Sequence, residues 1–462
     1  MNGKDVVLSR RMALLATALG SFLTPFIGAA VNLALPDIGR EWGLGVISLG
    51  WVASIFLLAA AMVLLPLGRL ADMYGRKKVF TIGVIVYTIF SLLSALSPSP
   101  FWLYVFRALQ GVGGAMIFGT AAAILTSVFP PNERGKALGF NAAAVYLGLA
   151  TGPFLGGVLV QYLGWRSVFW INVPLGLIIL LLLTKVEGEW AEAEKEKFDY
   201  LGSLLSGLSL FALMYGFSEL PHSLGGYLLA AGLSIGLGFV IWESRTPAPV
   251  LNLRLFRQSL TFAFSNLAVL INYSATYAVT FFLSLYLQEV RGLSPQHAGF
   301  ILLSQPAVMT LGSPIAGWLS DRVEPRIIAS LGMTLTTLGL FFLAFGLSLQ
   351  TPILHIIGIL LLLGLGFALF ASPNTNAVMS SVTPRFRAVA SAVLAIMRLV
   401  GQTFSMGIAM LILGLFVGKV SLGTHLSWPF VQAARVAFLC FACLCFAGIF
   451  ASLARGRIHS EG

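Results

Sequence analysis

Apolar residues run through this chain in long stretches, separated by short segments that are charged or rich in proline and glycine. Fourteen stretches can be marked, near residues 12–35, 46–67, 79–98, 101–129, 138–161, 167–184, 200–220, 223–242, 260–288, 296–319, 327–349, 352–380, 388–418 and 430–454. Most hold about 20 or more residues, the length a helix needs to cross a hydrocarbon core of roughly 30 Å. The pattern predicts an all-α polytopic membrane protein.

Composition agrees. Of 462 residues, 58% are hydrophobic and 10% charged, against about 25% charged in a soluble chain. The first apolar run follows Arg10 and Arg11 like a signal peptide, yet it continues past Ala34 without a cleavage site. It is read as a retained first helix. Cys440, Cys443 and Cys445 share the last run and suit helix packing better than a disulfide or metal set.

Charge sets the orientation. With a cytoplasmic N-terminus and alternating loops, inner segments hold 21 of the 28 lysines and arginines. Outer segments hold Arg40, Arg166, Arg291 and Lys419, and Arg107, Arg398 and Arg435 fall within spans. This asymmetry follows the positive-inside rule and places both termini in the cytoplasm. The pI of about 9.8 is thus explained by topology, without nucleic acid. One inner segment, "KVEGEWAEAEKEKFDY", is mixed in sign and acidic on balance. It divides the chain into a six-helix bundle (1–184), a cytoplasmic linker (185–199), two additional helices (200–243) and a second six-helix bundle (244–462).

The two bundles resemble each other. "GRLADMYGRKKV" from Gly68 and "GWLSDRVEPRII" from Gly317 share Gly-x-Leu-x-Asp at an offset of 249. "PNERGKALG" from Pro131 and "PRFRAVASA" from Pro384 align at 253, which brings Gly148 onto Gly401 and Gly152 onto Ser405. A six-plus-six arrangement with two helices inserted between the halves accounts for both offsets.

Four motifs occur in order on the expected spans: "NLALPDI" (32–38), "GRLADMYGRKK" (68–78), "RALQGVGGA" (107–115) and "GLATGPFLGG" (148–157). With the span count, they resemble the major facilitator superfamily, and more narrowly its fourteen-helix drug:proton antiporter branch. The resemblance implies export of hydrophobic or amphipathic small molecules by alternating access, in exchange for protons, by a monomer in the plasma membrane. No enzyme activity, cofactor, metal or nucleic acid is implied. A lipid or organic-anion transporter of the same fold is the alternative within transport. A membrane enzyme or scaffold would need paired carboxylates or a histidine cluster at one face.

In the second motif, Gly68 and Gly75 permit a tight turn, and Asp72 ends a helix where a neighbouring helix N-terminus can stabilise it. Arg76 is placed to pair with Glu133. The resemblance implies that this cluster, with its repeat counterpart Asp321, holds the outward-facing state and breaks when the halves rock; plain anchoring at the membrane surface is the alternative. For Arg107 the resemblance implies proton coupling, and snorkelling to the outer interface is the alternative. Arg398 either lines the cavity or caps backbone carbonyls. In the fourth motif, Gly148, Gly152 and Gly156 form a flat stripe for close helix approach, with Pro153 bending the helix and Gly157 beside it. The resemblance places this stripe between the halves and makes it a mark of exporters.

The chain departs from that branch in its acids. All 17 aspartates and glutamates lie in loops or near span ends. Where an acid often precedes "VNLALP", this sequence has Ile27. A buried carboxylate lets proton and cation compete for one site. Its absence leaves Asp37, Glu219 and Glu289 as titrating candidates and turns attention to neutral or anionic cargo. The candidate cavity residues are Asn32, Gln110, Asn141, Tyr146, Asn272, Tyr273, Tyr277, Gln305, Asn374, Arg398 and Gln402.

Overall fold

The structure is a computed structural model that describes residues 3–130, 133–191, 198–247, 249–251, 253–383, 387–418 and 427–456. Residues 192–197 of the linker, Pro131 and Pro384 of the repeat, and Lys419 of the outer segments lie outside the described residues.

The first bundle contains α1 (Gly3–Trp42), α2 (Val46–Tyr74), α3 (Arg76–Ala95), α4 (Pro100–Val128), α5 (Arg134–Leu163), α6 (Ser167–Trp170) and α7 (Asn172–Leu183). The hairpin α8 (Tyr200–Glu219) and α9 (Ser223–Arg245) follows. The short α10 (Arg254–Gln258) leads into α11 (Leu260–Thr276) and α12 (Ala278–Leu285), which ends in a π-helical turn at Tyr286–Val290. The second bundle is completed by α13 (Pro295–Leu302), α14 (Ser304–Ser320), α15 (Pro325–Gly346), α16 (Ile353–Ser380), α17 (Arg387–Phe416) and α18 (Ser427–Ala454).

Among the described residues, thirteen helical segments are long and apolar enough to cross a membrane. The expected sixth span is the exception. It is a shorter apolar helix, Ser167–Leu183, interrupted at Ile171 between α6 and α7. Asn172 sits at that break, fully buried, and its amide donates to the Val168 carbonyl at 2.9 Å.

The helix ends gather on two faces. Ser9, Lys77 and Val186 meet on one, where Thr261 Oγ1 also donates to the Arg455 carbonyl at 2.7 Å. We call this the terminal face. On the opposite, far face, Arg166 makes two hydrogen bonds to Glu41, at 2.8 and 2.6 Å, and lies 4.2 Å over the Trp165 ring. This partnership raises the pKa of Arg166.

The repeat is visible in packing. A Cβ at Gly148 would sit 2.5 Å from the Phe22 carbonyl oxygen of α1, and one at Gly401 would sit 2.7 Å from the Leu270 oxygen of α11. α5 therefore lies on α1 as α17 lies on α11. Where Gly152 meets Ala29 of α1, its counterpart Ser405 instead accepts a hydrogen bond from the Ala278 N–H at 3.0 Å.

The inserted hairpin spans the seam between bundles. α8 packs against both α2 and α17: Gly207 faces Met62, while Phe217 and Met214 cover Gly407. Asp199 caps α8 by accepting from the Gly202 N–H at 2.9 Å and binds the Trp242 indole at 3.0 Å, tying α8 to α9. Beyond α8, α9 presents mainly exposed apolar side chains, as expected of a helix at the lipid boundary.

Candidate functional site

At the terminal face, Arg76 is 5% exposed and fastens α2 to α4. Its Nε and Nη2 lie 3.0 and 2.9 Å from Asp72 Oδ1, and its Nη1 donates to Ser127 Oγ at 2.8 Å. Glu133 is exposed at the N-cap of α5. In the other bundle Asn376, which follows Ser127 by the repeat offset of 249, donates to Asp321 at 3.3 Å and to Ser320 Oγ at 3.1 Å. Each bundle thus ties the end of its second helix to its fourth through one aspartate. Among the described residues, nothing outside its own helical turn comes within 4 Å of a Cβ built at Gly68, whereas Gly75 adopts a φ of +113° against the Glu189 carboxylate.

Glu189 carries a role that spacing did not reveal. Its carboxylate accepts from the backbone N–H groups of Lys77 and Lys78 at 2.9 and 3.1 Å, satisfying donors at the start of α3. The Arg76 N–H donates to the Trp190 carbonyl at 2.9 Å, and Lys77 Nζ donates to the Val186 carbonyl. The linker is therefore clasped over the α2–α3 turn. Its acidic composition was the available signal, since carboxylates favour helix N-termini.

Arg107 does not snorkel. It is fully buried, 4.8 Å from the Phe56 ring centre and 5.7 Å from that of Phe169. Nη1 donates to Gln110 Oε1 at 2.7 Å and Nε to the Val52 carbonyl at 3.4 Å, while Nη2 has no hydrogen-bond partner. Gln110 passes the chain on to Ser91 Oγ at 2.5 Å. Tyr277, from the second bundle, lies within electrostatic reach of the guanidinium. No carboxylate lies within 4 Å of it among the described residues.

The glycine motif divides its work, and this corrects the sequence expectation. Gly148, Gly152 and Gly156 press against Phe22, Ala29 and Ala30 of α1, inside one bundle. The position between bundles belongs to Pro153 and Gly157. A Cβ at Gly157 would sit 2.5 Å from the Pro295 carbonyl oxygen, and Gly299 rests against the Pro153 carbonyl. Residues four apart share a face, and Gly157 lies about 100° around the helix from that stripe.

Of the cavity candidates, Tyr146, Tyr273 and Arg398 come together. Tyr146 of α5 packs, as Tyr273 does, against the cluster of Met309, Phe367 and Ala371 in the other bundle. Arg398 Nη2 donates to Thr375 Oγ1 at 3.1 Å, and its guanidinium lies 5.9 Å from the Tyr273 ring centre. Asn32 lies at the junction of bundles, its carbonyl accepting from Ser284 Oγ at 2.6 Å. Asn272 and Asn374 are fully buried inside the second bundle. Asn141, Gln305 and Gln402 are half-buried.

Asn374 instead serves Arg455, in the turn that follows α18. Arg455 is fully buried, donating to Asn374 Oδ1 at 2.8 Å and to Ser452 Oγ at 2.7 Å. It binds α18 to α11 and α16.

At the far face Arg40 joins Asp37 at 2.9 Å and Glu289, across the bundles, at 2.8 Å. Glu219 stands apart at the end of α8, near Tyr215.

These features define a two-bundle membrane transporter. The chain belongs to the major facilitator superfamily, whose family model matches residues 17–406 and 265–458. It is 32% identical over 403 residues to the multidrug resistance protein Stp of Mycobacterium tuberculosis, covering 86% of this chain and 74% of that one. It is 33% identical over 419 residues to the cephamycin export protein CmcT of Amycolatopsis lactamdurans (87% and 85% covered). The riboflavin transporter RibZ of Clostridioides difficile is 30% identical over 399 residues, with 86% of each chain covered. Among solved structures, the fold matches a bacterial homologue of the human lysosomal transporter Spinster, solved inward-facing and unoccupied. That match has a TM-score of 0.71 at 19% identity and covers 97% of both chains.

Proposed function

We propose that this protein exports hydrophobic or amphipathic small molecules by alternating access, in exchange for protons, with the terminal face in the cytoplasm. The observation that carries the reading is the α5–α13 contact. Glycine at positions 157 and 299 lets the two bundles close with backbone against backbone at the far face, forming a compact closure that rocking would separate. The kinship with drug and antibiotic exporters supports the direction of transport. The two aspartate clusters at the terminal face, each formed inside one bundle while the far face is closed, would be the elements that rearrange as the bundles rock. Arg107, Asp37, Glu219 and Glu289 are the proton-coupling candidates, and the fourteen-span count and monomeric state belong to this proposal. In proteoliposomes carrying a pH gradient, adding an amphipathic dye such as fluorescein should release protons. A panel of cationic, neutral and anionic dyes that moves without dissipating the gradient would overturn proton exchange. A panel that does not move at all would overturn export.

The alternative, an organic-anion transporter without proton coupling, draws on a specific observation. Two of the span-embedded arginines, Arg107 and Arg398, have no carboxylate within ion-pairing distance among the described residues.

A further inference from the structure

The arginine on α17 poses an electrostatic problem that the protein leaves open. Arg398 lies eleven residues into its helix, roughly 16 Å from the end at 1.5 Å per residue. A charge that deep is costly unless it is paired, hydrogen-bonded or open to a water-filled cavity. Its described hydrogen bond goes to the neutral hydroxyl of Thr375, and its Nε, buried from solvent, has no partner. Around it stands an aromatic wall. Tyr273 lies under the guanidinium, Phe367 packs edge-on to Tyr273 with ring centres 5.3 Å apart, and Tyr146 reaches in from the first bundle. Tyr273 is close to both Arg398 and Tyr146. The site therefore combines a planar cation with free donor capacity, aromatic surface from both bundles, and, among the described residues, no acid within ion-pairing distance.

We propose that Arg398 is the anchor of the substrate cavity and selects amphipathic aromatic anions, such as planar ring systems bearing a carboxylate or phenolate. The guanidinium takes the anionic group through charge-assisted, bidentate-capable hydrogen bonds, while Tyr273, Tyr146 and Phe367 cover the apolar body. Desolvation inside the bundles strengthens the attraction, and a cationic analogue would meet an unpaired like charge. Because the wall is built from both bundles, separating them at this depth would dismantle the site and release the anion. This deepens the export reading by naming its cargo class.

The test uses two xanthene dyes of similar shape and opposite charge, fluorescein and rhodamine 6G, binding to the purified full-length protein as followed by fluorescence anisotropy. Fluorescein should bind the more tightly, with affinity falling as salt rises. Arg398→Gln should weaken fluorescein roughly tenfold or more, the loss of a charge-assisted contact, and leave rhodamine 6G unchanged or improved. Arg398→Lys should recover part of the loss, since it keeps charge without the planar fork. Equal affinity of both dyes for the wild type, absence of fluorescein binding, or an equal loss of both in Arg398→Gln at unchanged melting temperature would overturn the proposal. The two readings fail separately. Export of both dyes without Arg398-dependent discrimination leaves export standing and removes the anion site. Arg398-dependent fluorescein binding without export in vesicles does the reverse.

Discussion

Arg40 of the first bundle and Glu289 of the second are joined at 2.8 Å across the far face, and Asp37 holds Arg40 in place from one helical turn away. The pair is half open to water, because Arg40 is 58% exposed. Exposed pairs of this kind contribute on the order of 0.5 kcal/mol, about a twofold bias on a two-state equilibrium. Arg40→Ala should therefore widen the far face modestly, and the double swap Arg40→Glu with Glu289→Arg should restore it. Spin labels at Leu163 and Leu349, exposed on different bundles at that face, would report the distance distribution. An unchanged distribution in Arg40→Ala would remove the latch role.

A larger effect is expected at Gly157. Any side chain there must displace the Pro295 backbone, and overpacking of this kind costs about 1–3 kcal/mol. Gly157→Ala should therefore favour separation of the bundles at the far face and lower export five- to a hundredfold by that estimate. The same change at Gly226, which has open space around it, should be silent. Gly148→Ala meets the Phe22 backbone of its own bundle, so it should lower the melting temperature without shifting the label distances.

Fold and site were legible to different depths. Hydropathy and charge marked the spans because lipid leaves helices little choice, and the repeat could be read from Asp72 and Asp321 because the same turn recurs. The weak point was the sixth span, whose apolar run does not show the break that Asn172 occupies. The glycine motif gave the spacing of its stripe but not its facing: both α1 and the other bundle require small residues, and sequence does not say which lies opposite. Buried polar partners were the least legible. Arg455, near the chain's end, looked like a loop charge, and only folding brings Asn374 and Ser452 to it.

That burial makes Arg455 testable. Its removal would leave Asn374 Oδ1 and Ser452 Oγ to find other partners, and hydrogen bonds to charged groups contribute about 1.5–3 kcal/mol each. Arg455→Ala should lower thermal stability by an amount of that order. The same substitution at Arg322, which is exposed beside Trp318, should change little. Equal melting temperatures for Arg455→Ala and wild type would show that α18 is held by its apolar contacts alone.

Arg76 and Asp72 give a prediction about conformation. Neutralising Asp72 with asparagine leaves the 5% exposed Arg76 without that carboxylate, while Ser127 still accepts its other hydrogen bond. If this cluster belongs to one state of the rocking cycle, Asp72→Asn should slow transport at nearly unchanged expression. A double-mutant cycle with Ser127→Ala should show coupling of about 0.5–3 kcal/mol, as residues in one hydrogen-bonded network do. Additive effects would make the two contacts independent anchors.

Arg107 separates a coupling role from a packing role. Its guanidinium is packed between Phe56 and Phe169 and holds Gln110, so both volume and charge contribute. Arg107→Lys keeps the charge and shortens the donor set, while Arg107→Met keeps much of the apolar stem and removes the charge. If charge is what matters, Met should abolish gradient-driven transport while the protein stays folded, and Lys should retain part of it. If packing is what matters, Met should transport nearly as well as wild type and Lys should be the worse variant, because a buried ammonium has fewer of the partners that Val52 and Gln110 supply. Counterflow in proteoliposomes without a gradient resolves the remaining ambiguity. A variant that exchanges substrate normally but no longer responds to the pH gradient has lost coupling, whereas loss of both activities places Arg107 in the rocking movement itself.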